Sequence, residues 1–166
     1  MDTNSGLRLS PTRGAMTIGA LTAGGMLVVS LFNIPVLAWL VFMGGIYFGM
    51  KTYKKVLGGI IIYYRALSVG FQTAFFASLI MAFFTYVATT FEPSLMDTLF
   101  DAAEQQMKTS GVPSALVDTA VQQWRKIFSP LMFAIFTIFM YSAVGGLASI
   151  VFAFFVKNVK SGEFVE

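Results

Sequence analysis

Asp97, Asp101 and Glu104 stand at i, i+4 and i+7, a spacing that sets three carboxylates on one helical face. Carboxylates placed this way could hold a cation or work as a general acid–base pair. They have no Asn, Gly or paired loop around them, so they lack the ligand count of a calcium cage. The plainer reading is a solvated polar face near a helix start, with Glu104 and Lys108 in the favourable i, i+4 order. The chain has no His and no Cys, which removes thiol nucleophiles, disulfides, His bases and nearly every zinc or haem site. The sequence therefore offers no catalytic residue, metal ligand or cofactor site, and the chain reads as a non-enzyme.

The elements that carry these residues follow from composition. Of 166 residues, 57% are hydrophobic and 11% charged, against roughly 25% charged in a soluble domain. A soluble fold of this size buries only about 70% of its chain surface and could not hide so much apolar area. A bilayer-spanning helix needs roughly 20 mainly apolar residues. Four stretches meet or approach that length with no Asp, Glu, Lys or Arg: about 15–32, 36–50, 66–91 and 131–156. The second is short and extends through Thr52 and Tyr53 if Lys51, Lys54 and Lys55 snorkel. The expected fold is all-α: a four-helix membrane bundle in one domain, 1–166, with tails 1–13 and 157–166.

Asn33-Ile34-Pro35 predicts a tight turn joining the first two spans into a hairpin, with Pro35 in a first helical turn. Ser129-Pro130 repeats that logic for the fourth span, and Gly58-Gly59 stops a Lys-rich helix end. Arg8, Arg13, Lys51, Lys54, Lys55, Arg65, Lys157 and Lys160 fall on one side of the membrane, and only Lys108, Arg125 and Lys126 on the other. The positive-inside rule then predicts that both termini are cytoplasmic. Basic residues spread over three segments argue against nucleic-acid binding. The first apolar run is too long, and too continuous with the next, for a cleaved signal peptide, and reads as a retained helix.

Residues 92–129 form the one sizeable extracytoplasmic segment. Leu95, Met96, Leu99, Phe100, Ala103 and Met107 make one apolar helical stripe, Ser110 to Pro113 breaks it, and Leu116, Val117, Ala120, Val121, Trp124, Ile127 and Phe128 make another. This predicts an amphipathic helical hairpin whose two apolar faces pair with each other, lie on the bilayer, or cover a neighbouring subunit. Leu99, Phe100, Val121 and Trp124 are the residues expected to meet a partner.

Association inside lipid relies on small residues that let backbones approach. Ala66, Gly70, Ala74, Ser78 and Ala82 recur every four residues in the third span, and Gly145, Ser149 and Ala153 do so in the fourth. These stripes predict the helix-packing seams, with the third span at the centre, against either the same chain or a second copy. Gln72 is expected to bond a neighbouring helix or headgroup. No charge lies at membrane depth, which disfavours a proton-coupled carrier.

The run Lys54-Lys55-Val56-Leu57-Gly58-Gly59, then Val69-Gly70-Phe71, a long span, Glu92-Pro93 and a loop closing on Phe128-Ser129-Pro130, resembles the bacterial membrane family called domain of unknown function 4199. The likeness covers about 15–160, with Arg65 a departure. It implies a small multi-pass inner-membrane protein, and no activity or catalytic residue. Three functions compete: a non-enzymatic accessory or scaffold chain bound to the bilayer and to further copies or another membrane protein; an oligomeric channel or carrier with Thr73, Ser78, Thr85 and Thr137 as candidate pore residues; and a lipid-processing enzyme using Glu92 or Asp118. The first is the expected one.

Overall fold

A computed structural model describes residues 11–31 and 35–158. They form six helices: α1 (Pro11–Leu31), α2 (Pro35–Val56), α3 (Tyr63–Phe91), α4 (Ser94–Thr109), α5 (Ser114–Ile127) and α6 (Pro130–Val156), with no strand among the described residues. The Asn33-Ile34 turn and most of both tails, including Arg8 and Lys160, lie outside the described residues.

Among the described residues, three helical stretches are long and apolar enough to cross a membrane: Val36–Val56, Tyr63–Phe91 and Pro130–Val156. The second and third expected spans are longer than their apolar runs. Helix α2 continues through Lys51, Lys54 and Lys55, and α3 begins at Tyr63 ahead of Arg65. α1 is not among the three. It opens on Pro11-Thr12-Arg13 and leaves residues 14–31 as its uncharged run, at the short end of what a bilayer requires.

The end of α2 shows how local chemistry sets a boundary. Gly58 and Gly59 adopt φ of 77° and 92°, a left-handed region that residues with a Cβ avoid. Their N–H groups donate back to Lys55 O (3.1 Å) and Lys54 O (2.9 Å), so two otherwise unpaired helix-end carbonyls are satisfied.

Contacts gather in two compact units, Met1–Met81 with Phe139–Glu166, and Ala82–Ile138. Within the first, α3 supplies the central surface. Ala66, Gly70, Ala74 and Ser78 are all buried there. A Cβ on Gly70 would overlap Met50 Cε and come within 2.7 Å of Ser149 Oγ. One on Gly145 would overlap Ala74 Cβ, and one on Gly19 would reach Phe76 Cβ at 2.8 Å and Thr73 O at 2.9 Å. So α1, α2 and α6 each approach α3 where a side chain is missing or small, and the small-residue stripe is consumed within one chain. Ser78 Oγ donates to Phe75 O (2.7 Å) and lies 3.1 Å from Ser142 Oγ on α6. With the Ser78 proton already spent, Ser142 is the donor. Phe42, Ile46, Met26 and Met50 fill the remaining core.

At one end of this unit, Lys54 Nζ donates to Val156 O (2.9 Å), capping the last turn of α6. Asn158 binds the α2–α3 loop twice, Nδ2 to Gly59 O (2.8 Å) and N–H to Ile61 O (3.2 Å). Lys157 lies over the Phe154 ring at 4.4 Å.

Candidate functional site

The second unit holds the charged residues that opened the sequence reading. Helix α4 starts at Ser94 after Pro93, with Asp97 in its first turn, where a carboxylate suits the helix dipole. It ends at Thr109. Gly111, with φ of 82°, then turns the chain, and Val112 N–H donates to Met107 O (3.2 Å). Helix α5 runs back from Ser114 and carries Arg125 and Lys126 in its last turn, the favourable end for cations. The hairpin boundaries match the break expected at Ser110 to Pro113.

The two apolar stripes do meet in part. Met96 and Phe100 of α4 and Val117 and Val121 of α5 form a small buried core, with Met107, Phe128 and Phe133 packed against it. Ion pairs clasp the hairpin at both ends. At the open end, Arg125 donates through Nη1 to Asp97 Oδ1 and through Nη2 to Asp101 Oδ1 (2.7 Å), while its guanidinium lies 5.4 Å from the Phe100 ring centre. At the turn, Lys108 Nζ contacts Glu104 Oε1 (2.5 Å) and Asp118 Oδ1 (3.8 Å). The hydrogen bond to Glu104, and the field of that carboxylate and of Asp118, push the Lys108 ammonium above the ordinary lysine value.

Beside the core lies a cavity of about 380 Å³. Leu99, Phe100 and Ala103 wall it from α4, Trp124 from α5, and Phe128, Phe133 and Phe136 from the junction with α6. Phe128 meets Phe133 and Phe136 edge-on at 6.4 and 5.8 Å between ring centres. A neighbouring cavity of about 390 Å³ shares Met96, Phe100 and Phe128, and adds Thr89, Thr90, Asp97 and Arg125.

The structure divides the residues expected to meet a partner. Phe100 and Val121 are buried in the hairpin's own core, at 9% and 4% exposure, whereas Leu99 and Trp124 are exposed and line the cavity. Of the stripe residues, Gly145, Ser149 and Ala153 are buried like their α3 counterparts, and Ala82 is buried in the second unit. The three carboxylates are split between clasps: Asp97 and Asp101 serve Arg125, and Glu104 serves Lys108. Gln72 Nε2 donates to Ser68 Oγ (3.2 Å), one turn back on its own helix, and its Oε1 is buried without a partner. Among the described residues no group of three or more His, Cys, Asp or Glu could hold a metal ion.

Sequence reasoning missed the role of Arg125, although the signal was present. Asp97 and Arg125 stand fourteen residues either side of Gly111, so an antiparallel hairpin turning there brings them opposite. It also missed Lys54 as a tie from the last turn of α2, and Asn158 as a tie from the α2–α3 loop, to the end of α6, contacts 102 and 99 residues apart that no local pattern encodes.

No curated protein and no solved structure matches the chain. Residues 14–158 match the family model described as "Protein of unknown function (DUF4199)", and the chain belongs to that family.

Proposed function

We propose that this chain is a small multi-pass inner-membrane protein with four spans, α1 joining α2, α3 and α6, and with both termini cytoplasmic. In this reading it serves as a non-enzymatic accessory or scaffold subunit through helix–helix and outer-hairpin contacts. Support for α1 as a span comes from its seat against α3 at Gly19 and from the burial of Ala15, Ala23 and Met26. Support for the orientation comes from the basic residues gathered on one side.

One observation carries the scaffold reading. Four of the hairpin's charges that could do chemistry, Asp97, Asp101, Glu104 and Asp118, are each paired with a basic residue that holds the hairpin together. Among the polar residues that make up most of the hairpin's exposed surface, apolar ones also stand open: Leu116 and Ile127, 62% and 58% exposed on one face of α5, with Leu99 and Trp124. Exposed large apolar side chains on one helix face offer a surface for a partner to cover. The channel alternative gains no comparable support, since the Thr73, Ser78 and Thr137 hydroxyls all turn back onto carbonyls of their own helices.

The test is capture from native membranes. Photo-reactive residues at positions 116 and 127 should cross-link to another membrane protein or to a second copy. A strict monomer in mild detergent, with nothing cross-linked at either position, overturns the scaffold reading. Reporter fusions at both termini should report the cytoplasm and a tag at Gly111 the opposite side; any other pattern overturns the topology.

A further inference from the structure

We propose that the hairpin is a receptor for one phospholipid of the outer leaflet, with an acyl chain in the apolar cavity and a zwitterionic amine headgroup in the cavity beside it. The proposal rests on the reading of α6 as a membrane span. Phe133 and Phe136 lie in the first two turns of that helix, so the cavity opens at the depth where bilayer hydrocarbon meets headgroups. At about 380 Å³ it is within the ordinary size of a small-molecule site. Its walls are aromatic or aliphatic, which suits a methylene chain and offers little to a polar guest.

A chain moving from lipid into an apolar cavity exchanges one hydrocarbon setting for another, so the tail adds little selectivity. Selectivity must come from the adjoining cavity, which shares Phe100 and Phe128 with the first and holds the Arg125–Asp97 pair. The Arg125 guanidinium in its wall also serves Asp101, which is not part of that wall, so the cluster of one guanidinium and two carboxylates carries a net charge of −1. An anionic headgroup meets that excess as repulsion. A phosphate joined to an ammonium fits both signs: the ammonium faces the carboxylates, and the phosphate takes guanidinium N–H donors not used by them. The proposal also refines the contact surface above. A lipid tail covers Leu99 and Trp124, and Leu116 and Ile127 remain for protein.

The chain has two tryptophans, Trp39 and Trp124, so each can be made the sole reporter. Full-length Trp39→Phe protein is reconstituted in phosphatidylglycerol bilayers and titrated with phosphatidylethanolamine brominated on its acyl chains. Trp124 fluorescence should quench saturably, at a mole fraction at least fivefold below that needed with brominated phosphatidylglycerol. Ala103→Phe, which fills the cavity, should remove the saturable component, and Asp97→Asn should erase the headgroup preference while leaving quenching in place. Quenching that rises only in proportion to bulk brominated lipid, equal affinity for both headgroups, or a co-purifying protein that shields Trp124 overturns the proposal. The Trp124→Phe protein separates the two readings: Trp39 unquenched means that α2 is not in lipid, whereas Trp39 quenched with no saturable Trp124 response defeats the lipid site alone.

Discussion

The two units of this chain are held together by different physics. In the first, helices touch through glycine, alanine and serine beside a core of Phe42, Ile46, Met26 and Met50, while many other large hydrophobic side chains point outward: Phe48, Tyr64, Leu147 and Phe155 are all exposed. In the second, α4 and α5 share only a few buried apolar residues and close their ends with ion pairs. Helices immersed in lipid gain nothing from hiding apolar surface from their solvent, so close backbone approach must hold them. On the proposed topology the hairpin meets water, where the hydrophobic driving force persists and charge can add to it.

The sharpest way to break this comparison is to enlarge a seam glycine. Gly145→Leu should cost about 3 kcal/mol or prevent folding, read as thermal unfolding in detergent, because Ala74 Cβ and Phe42 already occupy the space. Gly44→Ala, which meets nothing within 4 Å, should change stability by less than about 0.5 kcal/mol. Equal tolerance at both positions would mean that the seam is not tight. In the hairpin, Val117→Ala should cost about 2 kcal/mol, two methyl groups plus a small cavity. The loss should appear as faster proteolysis at residues 110–113, with the first unit's melting unchanged. Arg125→Ala should cost about 1 kcal/mol, since the partners are exposed, and the gap from the parent should shrink in high salt.

The smallest effect concerns Lys108. Its folded value is raised above 10.5, so the charged form is favoured by folding. Its contribution is therefore constant below that pH and lost as pH rises through the folded value. Hairpin protection should be flat from pH 7 to about 9 and fall only above roughly 10.5, by less than the Arg125→Ala effect. A fall near neutral pH would show that another group controls the clasp.

Much of the fold was legible because its signals are local. Gly58-Gly59, Gly111 and the prolines at 35, 113 and 130 each mark a helix end by backbone constraint alone. The four-residue spacing from Ala66 to Ser78 identified a buried face for the same reason, since the α-helical period decides which residues share it. What could not be read was which partner each face takes. Amphipathicity marked Phe100 and Leu99 alike as apolar hairpin residues, but only the crossing of α4 with α5 buries the first and leaves the second on a cavity wall. The cavity itself depends on Phe133 and Phe136, whose pattern in α6 is that of any lipid-facing helix.

The ties made by Lys54 and Asn158 impose an order on biogenesis. Lys54, Gly59 and Ile61 leave the ribosome about a hundred residues before Val156 and Asn158, their partners. Until Val156 and Asn158 are made, the Gly59 and Ile61 carbonyls of that loop and the Lys54 ammonium at the end of α2 lack these partners. A nascent chain stalled before Val156 therefore carries this joint unfinished.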